Sequence, residues 1–344
     1  MTTGTFDLPI GLMEKRAGAG IIETADVDEH CEALRPWDLT IRQVSPGKYR
    51  ARTEYVSFNG FLLYREQCCR RLMVTGATPA GYIMLGSPST AEARIDWCGA
   101  EIHPGRLAFG GSSTEIDCVV PAGSHHVVAL MPEDLARTYL GEALGSKLSF
   151  SKCRHLICHP SVSESLIQLV HGLVHKYLER PELLADQEVC KASEFKLMDT
   201  FVQAADTMDA GVGCVSARER HLAFLRAIEY AEHLQRPIGV SELASAAGVS
   251  RRVLELAFRE TLGVTPVAYL RLSRMHGARR ELAAAAPDSA QVKEICARWG
   301  FSEPGRFAVD YGRLFGESPS ATLRTYSKPL PIRLKDALRG RVIR

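Results

Sequence analysis

Two short segments of the sequence bring together side chains of metal-ligating type. In the run CRHLICH these are Cys153, His155, Cys158 and His159. Their spacing matches no common zinc pattern, and so short a stretch closes a tetrahedral site poorly. His125 and His126 are neighbours in a predicted strand, so their side chains point to opposite faces. The N-terminal half also offers no nucleophile with a partner base. We therefore predict no metal, no cofactor and no catalytic residues.

Arginines near the C-terminus indicate a different chemistry, because a guanidinium group can bond the edge of guanine or a phosphate oxygen. The side chains predicted to contact DNA are Ser250, Arg251, Arg252, Glu255 and Arg259 in one segment, and Ser302, Glu303, Arg306, Asp310 and Arg313 in a second. Arg251 and Arg252 can each contact either a guanine base or only a phosphate. Asp310 would repel phosphate if it faced DNA, so we expect the first segment to supply most of the specificity.

These side chains belong to an internal repeat in which Gly248 aligns with Gly300, 52 residues later. Each copy has an apolar and a small residue before the glycine, an apolar residue and a serine after it, and then an apolar pair four positions apart. The members are Leu243, Ala244, Val249, Ser250, Leu254 and Phe258 in one copy, and Ile295, Cys296, Phe301, Ser302, Phe307 and Tyr311 in the other. This order predicts a helix, a tight turn at the glycine, and a second helix that the serine can cap.

Each copy ends with a glycine and, three residues later, a proline: Gly263 with Pro266, and Gly316 with Pro319. Proline suits the first turn of another helix. A helix from about 266 to 285 would join the two units and, at about 1.5 Å per residue, span roughly 30 Å. That length is close to the ~34 Å between major-groove faces one turn apart, so both second helices can enter successive major grooves.

The C-terminal part, from about Leu222 to Tyr326, resembles the AraC/XylS family of bacterial transcription regulators. The resemblance rests on GVSRRVLELAFRETLGVTPVAYLR and ARWGFSEPGRFAVDYGRLFGESP, and FAVDYGRLFGESPSATL is similar to the ethanolamine-operon regulator branch. It implies a two-unit DNA-reading domain with a linker helix, usually an N-terminal β-barrel that senses a small molecule or dimerises, and activation rather than repression. Pro304, Gly305 and Gly312 depart from the family pattern.

The N-terminal part reads as short, alternating segments between Gly-, Pro- and Ser-containing turns, from about Leu39 to Leu130. Eight strands at this spacing predict an antiparallel barrel or sandwich, and we favour a cupin-like jelly roll. Helical periodicity follows at about 162–178 and 193–207, and these helices can form a dimer surface or pack on the barrel. The predicted fold class is α+β, with an N-terminal cupin-like β-barrel or jelly roll and flanking helices, and an all-α C-terminal domain with two helix-turn-helix units.

The predicted domains are an N-terminal sensor or dimerisation domain at 1–208 (barrel 35–132, helices 133–208), a linker at 209–220, an AraC-type DNA-binding domain at 221–326 and a basic tail at 327–344. In the barrel, Tyr64, Arg65, Arg70 and Arg71 are the candidate ligand-binding residues. Arginines there would favour an anionic effector such as a phosphate or a carboxylate.

The net charge of +2 conceals an asymmetry between the two parts of the chain. From Arg218 onward there are 22 Lys and Arg against 13 Asp and Glu, whereas the preceding residues carry 20 against 27. This distribution favours a polyanionic partner for the C-terminal part. No apolar run approaches the roughly 18–20 residues that span a membrane, and the N-terminus lacks the apolar core of a secretory signal, so we expect a cytoplasmic protein.

These patterns together predict a transcription regulator that binds promoter DNA with sequence specificity. We expect a homodimer controlled by a small-molecule effector, and RNA polymerase as a partner if the regulator is an activator. Two alternatives stay open. One is a ligand-independent dimeric regulator whose barrel only dimerises or meets another protein. The other is an enzyme-type barrel fused to a DNA-binding domain.

Overall fold

The N-terminal part folds as strands because short alternating segments can bury one face against a core. The computed structural model describes residues 17–90, 94–103, 106–138, 155–157, 160–206, 215–234, 238–285 and 291–325. The described strands are β1 Gly18–Thr24, β2 Asp38–Gln43, β3 Ala51–Phe58, β4 Phe61–Cys68, β5 Leu72–Ala77, β6 Tyr82–Pro88, β7 Ile95–Trp97, β8 Ala100–Ile102, β9 Arg106–Gly110, β10 Glu115–Val120, β11 Ser124–Pro132 and β12 His155–Ile157.

The described strands form two antiparallel sheets that face each other. One sheet has the order β1-β3-β4-β11-β6-β9-β12, and the other has the order β2-β5-β10-β7-β8. A single apolar core lies between them and includes Leu62 and Met84 from the first sheet and Ile41 and Val74 from the second. The prediction of a closed barrel is wrong for the described strands, because the edge strands of one sheet do not pair with those of the other. The alternative of a sandwich is confirmed.

Two long helices cover the outer face of the seven-stranded sheet. A short helix, α1 (Val27–Ala33), precedes β2, and two long helices, α2 (Pro160–Glu179) and α3 (Gln187–Asp206), follow the strands with a 3-10 turn at Pro181–Ala185 between them. The predicted apolar stripe of α2 is buried against this sheet. For example, the ring of Tyr177 lies 5.4 Å from that of Phe58.

The C-terminal part is all helical. Its helices are α4 Val215–His233, α5 Val240–Ala246, α6 Arg251–Leu262, α7 Pro266–Ala284, α8 Val292–Arg298, α9 Pro304–Phe315 and α10 Pro319–Thr325. Helix α7 confirms the predicted joining helix and contributes Tyr269 to one core and Leu282 to a second. Of the predicted linker, residues 209–214 lie outside the described residues, and 215–220 are the first turns of α4. None of the described helices is both long and apolar enough to cross a membrane.

Gly277, in the middle of α7, gives a test of this packing. A Cβ added there would overlap the indole ring of Trp299, and overpacking costs about 1–3 kcal/mol. Alanine favours a helix over glycine by only about 1 kcal/mol. We expect Gly277→Ala to lower the free energy of unfolding by about 1–2 kcal/mol, measured by urea denaturation.

Gly172, inside α2, is the matched control. A Cβ there meets no atom within 4 Å, so Gly172→Ala should raise the free energy of unfolding by about 0.5–1 kcal/mol. Equal changes in the two variants would contradict the close approach of α7 to Trp299.

Candidate nucleic-acid interface

The two sequence repeats fold into matching helix-turn-helix units, α5 with α6 and α8 with α9. Gly248 and Gly300 have φ values of 70° and 72°, a left-handed conformation that favours glycine. The same backbone hydrogen bond closes both turns. In the first unit the amide of Val249 donates to the carbonyl of Ala244 at 3.1 Å, and in the second the amide of Phe301 donates to that of Cys296 at 3.0 Å. The predicted helix-turn-helix repeat is confirmed.

The two units differ where their second helices begin. Ser250 caps α6 as predicted, since its hydroxyl accepts a hydrogen bond from the amide of Val253 at 3.3 Å. Helix α9 instead begins at Pro304, with Glu303 at the cap position and no side-chain cap bond. The prediction that Ser302 caps this helix is wrong, because one extra residue follows the turn. The offset between the copies is 52 at the turn glycines and 53 from the helix onward.

Most of the side chains predicted to contact DNA lie on the solvent side of the two second helices. Ser250, Arg251, Arg252, Glu255 and Arg259 are exposed in the first unit, and Ser302, Glu303, Arg306 and Arg313 are exposed in the second. They avoid the buried stripes formed by Leu254 with Phe258 and by Phe307 with Tyr311. Each unit therefore presents one polar face without disturbing its core.

Asp310 is the exception, because it is half-buried and ion-paired. Its carboxylate bonds to the guanidinium of Arg271 on α7 and lies 3.9 Å from Arg306 on its own helix. Arg271 and Arg274 also lie over the ring of Phe301. The negative charge expected to repel phosphate is therefore compensated within the domain, by a partner on another helix.

Two exposed apolar residues on these helices escaped the sequence analysis. Leu256 on α6 is 46% exposed and Val309 on α9 is 64% exposed. They occupy equivalent positions, 53 residues apart. An apolar side chain on a reading helix can contact the methyl group of thymine. Aligning the helices at this offset, instead of at the turn glycines, would have identified the pair.

The N-terminal sandwich packs directly on both units. Met73 and Val119, on the outer face of the five-stranded sheet, belong to the apolar core of the first unit. Between β2 and β3, the amide of Gly47 lies 2.9 Å from the carbonyl of Arg313 and 3.0 Å from that of Leu314, at the end of α9. The side-chain amide of Gln43 also donates to Leu314, at 2.7 Å.

Buried ion pairs join the same two parts. Arg279 on α7 pairs with Asp26, which caps α1, and lies 2.9 Å from Glu317. Arg42 on β2 pairs with Glu232 on α4. The positions of the two units relative to the sandwich are thus fixed by specific polar contacts.

The predicted ligand-binding residues are not brought together. Tyr64 lines a cavity between the sheets, whereas Arg65, next along β4, points to the opposite face and pairs with Glu54. Arg70 donates to the carbonyl of Lys48 at 3.1 Å, and Arg71 donates to the carbonyl of Thr261 at 3.4 Å. Strand alternation separates the first two residues, and the turn after β4 carries the other two to the domain junction.

The cavity between the sheets has a volume of about 80 Å³ and mainly apolar walls. Three polar side chains, His30, Glu66 and His126, lie together at one end. None of the described lining residues is Lys or Arg. Burial opposes ionisation of Glu66, but His30, His126 and hydrogen bonds outweigh it and lower the pKa of this carboxyl to about 2. The polar end is therefore anionic at Glu66.

Several predicted features lie outside the described residues. These are Cys153, Cys158 and His159 of the CRHLICH run and the basic tail at 327–344. His155 is placed in β12, at the edge of the seven-stranded sheet.

Comparison with known proteins agrees with this architecture. A helix-turn-helix domain model matches residues 243–325. The probable thc operon regulatory protein of Rhodococcus erythropolis is 37% identical over 166 residues, which are 48% of this chain and 50% of that protein. The XylDLEGF operon transcriptional activator 2 of Pseudomonas putida is 31% identical over 119 residues, 34% of this chain and 76% of that protein. The chain belongs to the AraC/XylS family of transcription regulators.

The match to the first AraC/XylS relative leaves half of each protein uncovered, because the chain spans only half the length of the Rhodococcus protein. Among solved structures, a probable AraC family transcriptional regulator from Rhodopseudomonas palustris is 33% identical, with a TM-score of 0.28, over 31% of this chain and 98% of that one. The similarity to the ethanolamine-operon branch stays a prediction.

In this AraC/XylS-family chain, a buried histidine joins α7 to the sandwich. Nε2 of His276, on α7, lies 2.9 Å from the carbonyl oxygen of Gln43 and donates to it in the neutral ring. Burial is the main cause that lowers the pKa of His276, to about 3, and nearby Arg42 and Arg280 act in the same direction. The folded protein therefore keeps this ring neutral at pH values where the unfolded chain takes up a proton.

This difference predicts a loss of stability in acid. An unfolded histidine titrates at about pH 6.5, so between there and about pH 3 the unfolded state binds one more proton than the folded state at this site. Stability from His276 should fall by about 1.4 kcal/mol per pH unit below that point. Urea unfolding at pH 7 and at pH 5.5 should show a weaker pH dependence for His276→Gln, which keeps an N–H donor.

The control is the difference between wild type and variant, because other histidines titrate in both. Burial lowers the pKa of His221, but its bond to Asp117 and the charge of Asp96 outweigh burial and raise it, so His221 contributes with the opposite sign. An identical pH dependence in the two proteins would show that His276 is not buried as a neutral ring.

Proposed function

We propose that the protein reads promoter DNA with both helix-turn-helix units and activates transcription in response to a small molecule held in the N-terminal cavity. The observation that carries the proposal is the pair of matching units with exposed reading faces, joined by α7. At about 1.5 Å per residue this helix is about 28 Å long, close to the ~34 Å of one DNA turn. Activation is supported by a relative that bears the name of a transcriptional activator.

The first unit is the better candidate for base recognition. No described acidic side chain forms an ion pair with Arg251, Arg252 or Arg259, so these guanidinium groups are available to a ligand. In the second unit Arg306 lies 3.9 Å from Asp310. A free guanidinium can form a bidentate contact with guanine, worth about 1–3 kcal/mol of discrimination. The apolar Leu256 and Val309 would add contacts to thymine.

We expect Arg252→Ala to change the preferred DNA sequence more than Arg306→Ala does. Selection from random DNA with each variant measures this directly, and loss of one bidentate contact should reduce discrimination at one base position by roughly tenfold. Footprinting of the wild type on a selected site should show two protected major-groove segments one turn apart. A larger change for Arg306→Ala would reverse the proposed roles, and protection without sequence preference would indicate a general DNA-binding protein.

The cavity is the proposed effector site, and its chemistry narrows the ligand. A cavity needs a volume of about 10–15 Å³ to hold one water molecule. The cavity between the sheets, at about 80 Å³, therefore holds a small molecule of several non-hydrogen atoms. The walls suit an apolar body, and because none of the described lining residues is Lys or Arg, the cavity suits a neutral molecule or a cation better than an anion. This proposal replaces the anionic effector expected from Arg65, Arg70 and Arg71, since none of them lines the cavity.

Strand β2 connects the cavity to the DNA-binding domain. Ile41 on β2 lines the cavity, and the next two residues, Arg42 and Gln43, contact α4 and the end of α9. A ligand shifts an equilibrium only if it binds one arrangement better than another. A ligand that displaces Ile41 would also displace Arg42 and Gln43, which hold the DNA-binding domain. Such a ligand would therefore bind one arrangement of the two domains better than another.

Filling the cavity should remove the effector response and leave DNA binding intact. Ala108 lines the cavity, and Ala108→Leu should abolish thermal stabilisation by apolar amines and alcohols that stabilise the wild type. Arg70→Ala, outside the cavity, is the matched control and should respond as the wild type does. A response that survives in Ala108→Leu, or that is confined to anionic compounds and lost in Arg65→Ala, would contradict this site.

The remaining parts of the proposal rest on the sequence patterns described above. We propose that residues 1–208 form the sensor domain, that its sandwich is a cupin-like jelly roll, and that the protein acts as a homodimer that contacts RNA polymerase. A ligand-independent regulator is the second candidate. Absence of stabilisation by every compound in a broad metabolite panel would favour it.

A further inference from the structure

Three side chains at the polar end of the cavity and a fourth, Cys68, beside them carry donor atoms that suit a transition metal. They are His30 from α1, Glu66 and Cys68 from β4, and His126 from β11. The two oxygens of Glu66 lie at the centre. Oε2 is 3.2 Å from Nε2 of His30, and Oε1 is 3.1 Å from Sγ of Cys68 and 3.5 Å from Nε2 of His126. His30, Glu66 and Cys68 each offer a ligand atom, all within 4.8 Å of one another.

These separations can be compared with the edges of a tetrahedral zinc site. With Zn–N and Zn–O bonds of about 2.0–2.2 Å and a Zn–S bond of about 2.3 Å, neighbouring ligand atoms lie roughly 3.3–3.7 Å apart. The ligand atoms of His30, Glu66 and Cys68 all lie within 4.8 Å of one another, so these three side chains need movements of about an ångström to hold one ion. His126, whose Nε2 lies 3.5 Å from Glu66, is the candidate for the fourth donor.

A second layer of hydrogen bonds orients the donors. Nδ1 of His30, the ring nitrogen turned away from Glu66, lies 2.5 Å from the hydroxyl of Tyr49. The hydroxyl of Thr53 donates to Oε2 of Glu66 at 3.3 Å. Metal-ligating histidines commonly donate their other ring nitrogen to a fixed partner, which holds the ring in position. His30 is held in this way, with Nε2 directed at the cluster.

His126 gives an independent sign that a partner belongs here. Its Nδ1 is buried and makes no hydrogen bond to any described residue, and its Nε2 has only the 3.5 Å approach to Glu66. A buried polar group without a full partner destabilises the fold. A metal bond at Nε2 would give that nitrogen a close partner in place of the 3.5 Å approach to Glu66 and would give the ring a defined role, although Nδ1 keeps no partner among the described residues.

We propose that His30, Glu66, Cys68 and His126 bind one transition metal ion of the Zn²⁺ class at the end of the cavity. Thiolate and imidazole donors select such ions over Mg²⁺ and Ca²⁺. On binding, the thiol of Cys68 loses its proton to solvent and forms the metal–sulfur bond. The ion joins α1, β4 and β11. Because Asp26 at the start of α1 pairs with Arg279 of α7, the ion also stabilises the docked DNA-binding domain.

Cobalt titration of the full chain tests the site, because Co²⁺ reports both geometry and sulfur ligation. After treatment with EDTA, the wild type should bind one Co²⁺ per chain, with visible bands of tetrahedral cobalt and a near-ultraviolet thiolate-to-cobalt band. Cys68→Ser should lose the thiolate band, and His126→Asn should weaken binding at least tenfold. Cys69→Ser and His125→Asn, neighbours of the two ligands, are matched controls and should keep the wild-type spectrum and affinity.

Thermal unfolding separates this site from binding at other cysteines. Zn²⁺ should raise the Tm of the wild type and of Cys69→Ser, but not that of Cys68→Ser or Cys68→Ala, and circular dichroism of the EDTA-treated variants checks that each is folded. A wild type that binds no stoichiometric Co²⁺, or a Cys68→Ser variant with a wild-type thiolate band, would overturn the proposal. Either result would leave the cluster as a buried hydrogen-bond network around Glu66.

Discussion

The five-stranded sheet is the element on which both halves of the molecule depend, because its two faces serve different partners. Successive residues of a strand point to opposite sides. On β2, β5 and β10 one side lines the cavity, through Ile41, Val74 and Val120. The other side holds the DNA-binding domain, through Arg42, Met73 and Val119. A change in the cavity wall is therefore one residue away from a change in domain docking.

The contacts of the sandwich with α6 and α9 lie at the C-terminal end of each helix. The last carbonyls of a helix have no partner within the helix, and here the sandwich supplies donors to them. Arg71 bonds the carbonyl of Thr261 at the end of α6, and Gly47 bonds those of Arg313 and Leu314 on α9. The N-terminal turns of both helices stay exposed. Since recognition helices contact bases mainly through their N-terminal residues, docking leaves open the ends that carry Arg251, Arg252 and Arg306.

Sequence was informative where the structure is local. The helix-turn-helix repeat, the cap at Ser250 and the joining helix depend on residues a few positions apart, and pattern alone places them. The offset change after the second turn was missed because one inserted residue leaves Ser302 in a familiar place while moving the helix start to Pro304. The compensation of Asp310 was also out of reach, since Arg271 lies on a different helix.

Long-range pairing limited what sequence could say about the N-terminal part. Strand periodicity identifies residues that alternate, but it does not show which face becomes the interior or which strands become neighbours. Tyr64 and Arg65 were therefore grouped as one site although they face opposite ways. The cluster around Glu66 was invisible for the same reason, because α1, β4 and β11 meet only after both sheets have formed. His125 and His126 are adjacent in sequence but face opposite ways, whereas His126 and Glu66, 60 positions apart, lie close together in the fold.

Buried charge at the domain junction makes docking a choice between distinct states. Arg279 and Asp26 are each almost fully buried, as is Arg42. Breaking such a pair while one partner stays buried costs about 3–5 kcal/mol, because the remaining charge is uncompensated. Small displacements of the DNA-binding domain are thus penalised, whereas full separation lets water solvate both charges. The proposed effector would therefore act on the balance between docked and released arrangements of the two helix-turn-helix units, because intermediate positions carry the cost of uncompensated charge.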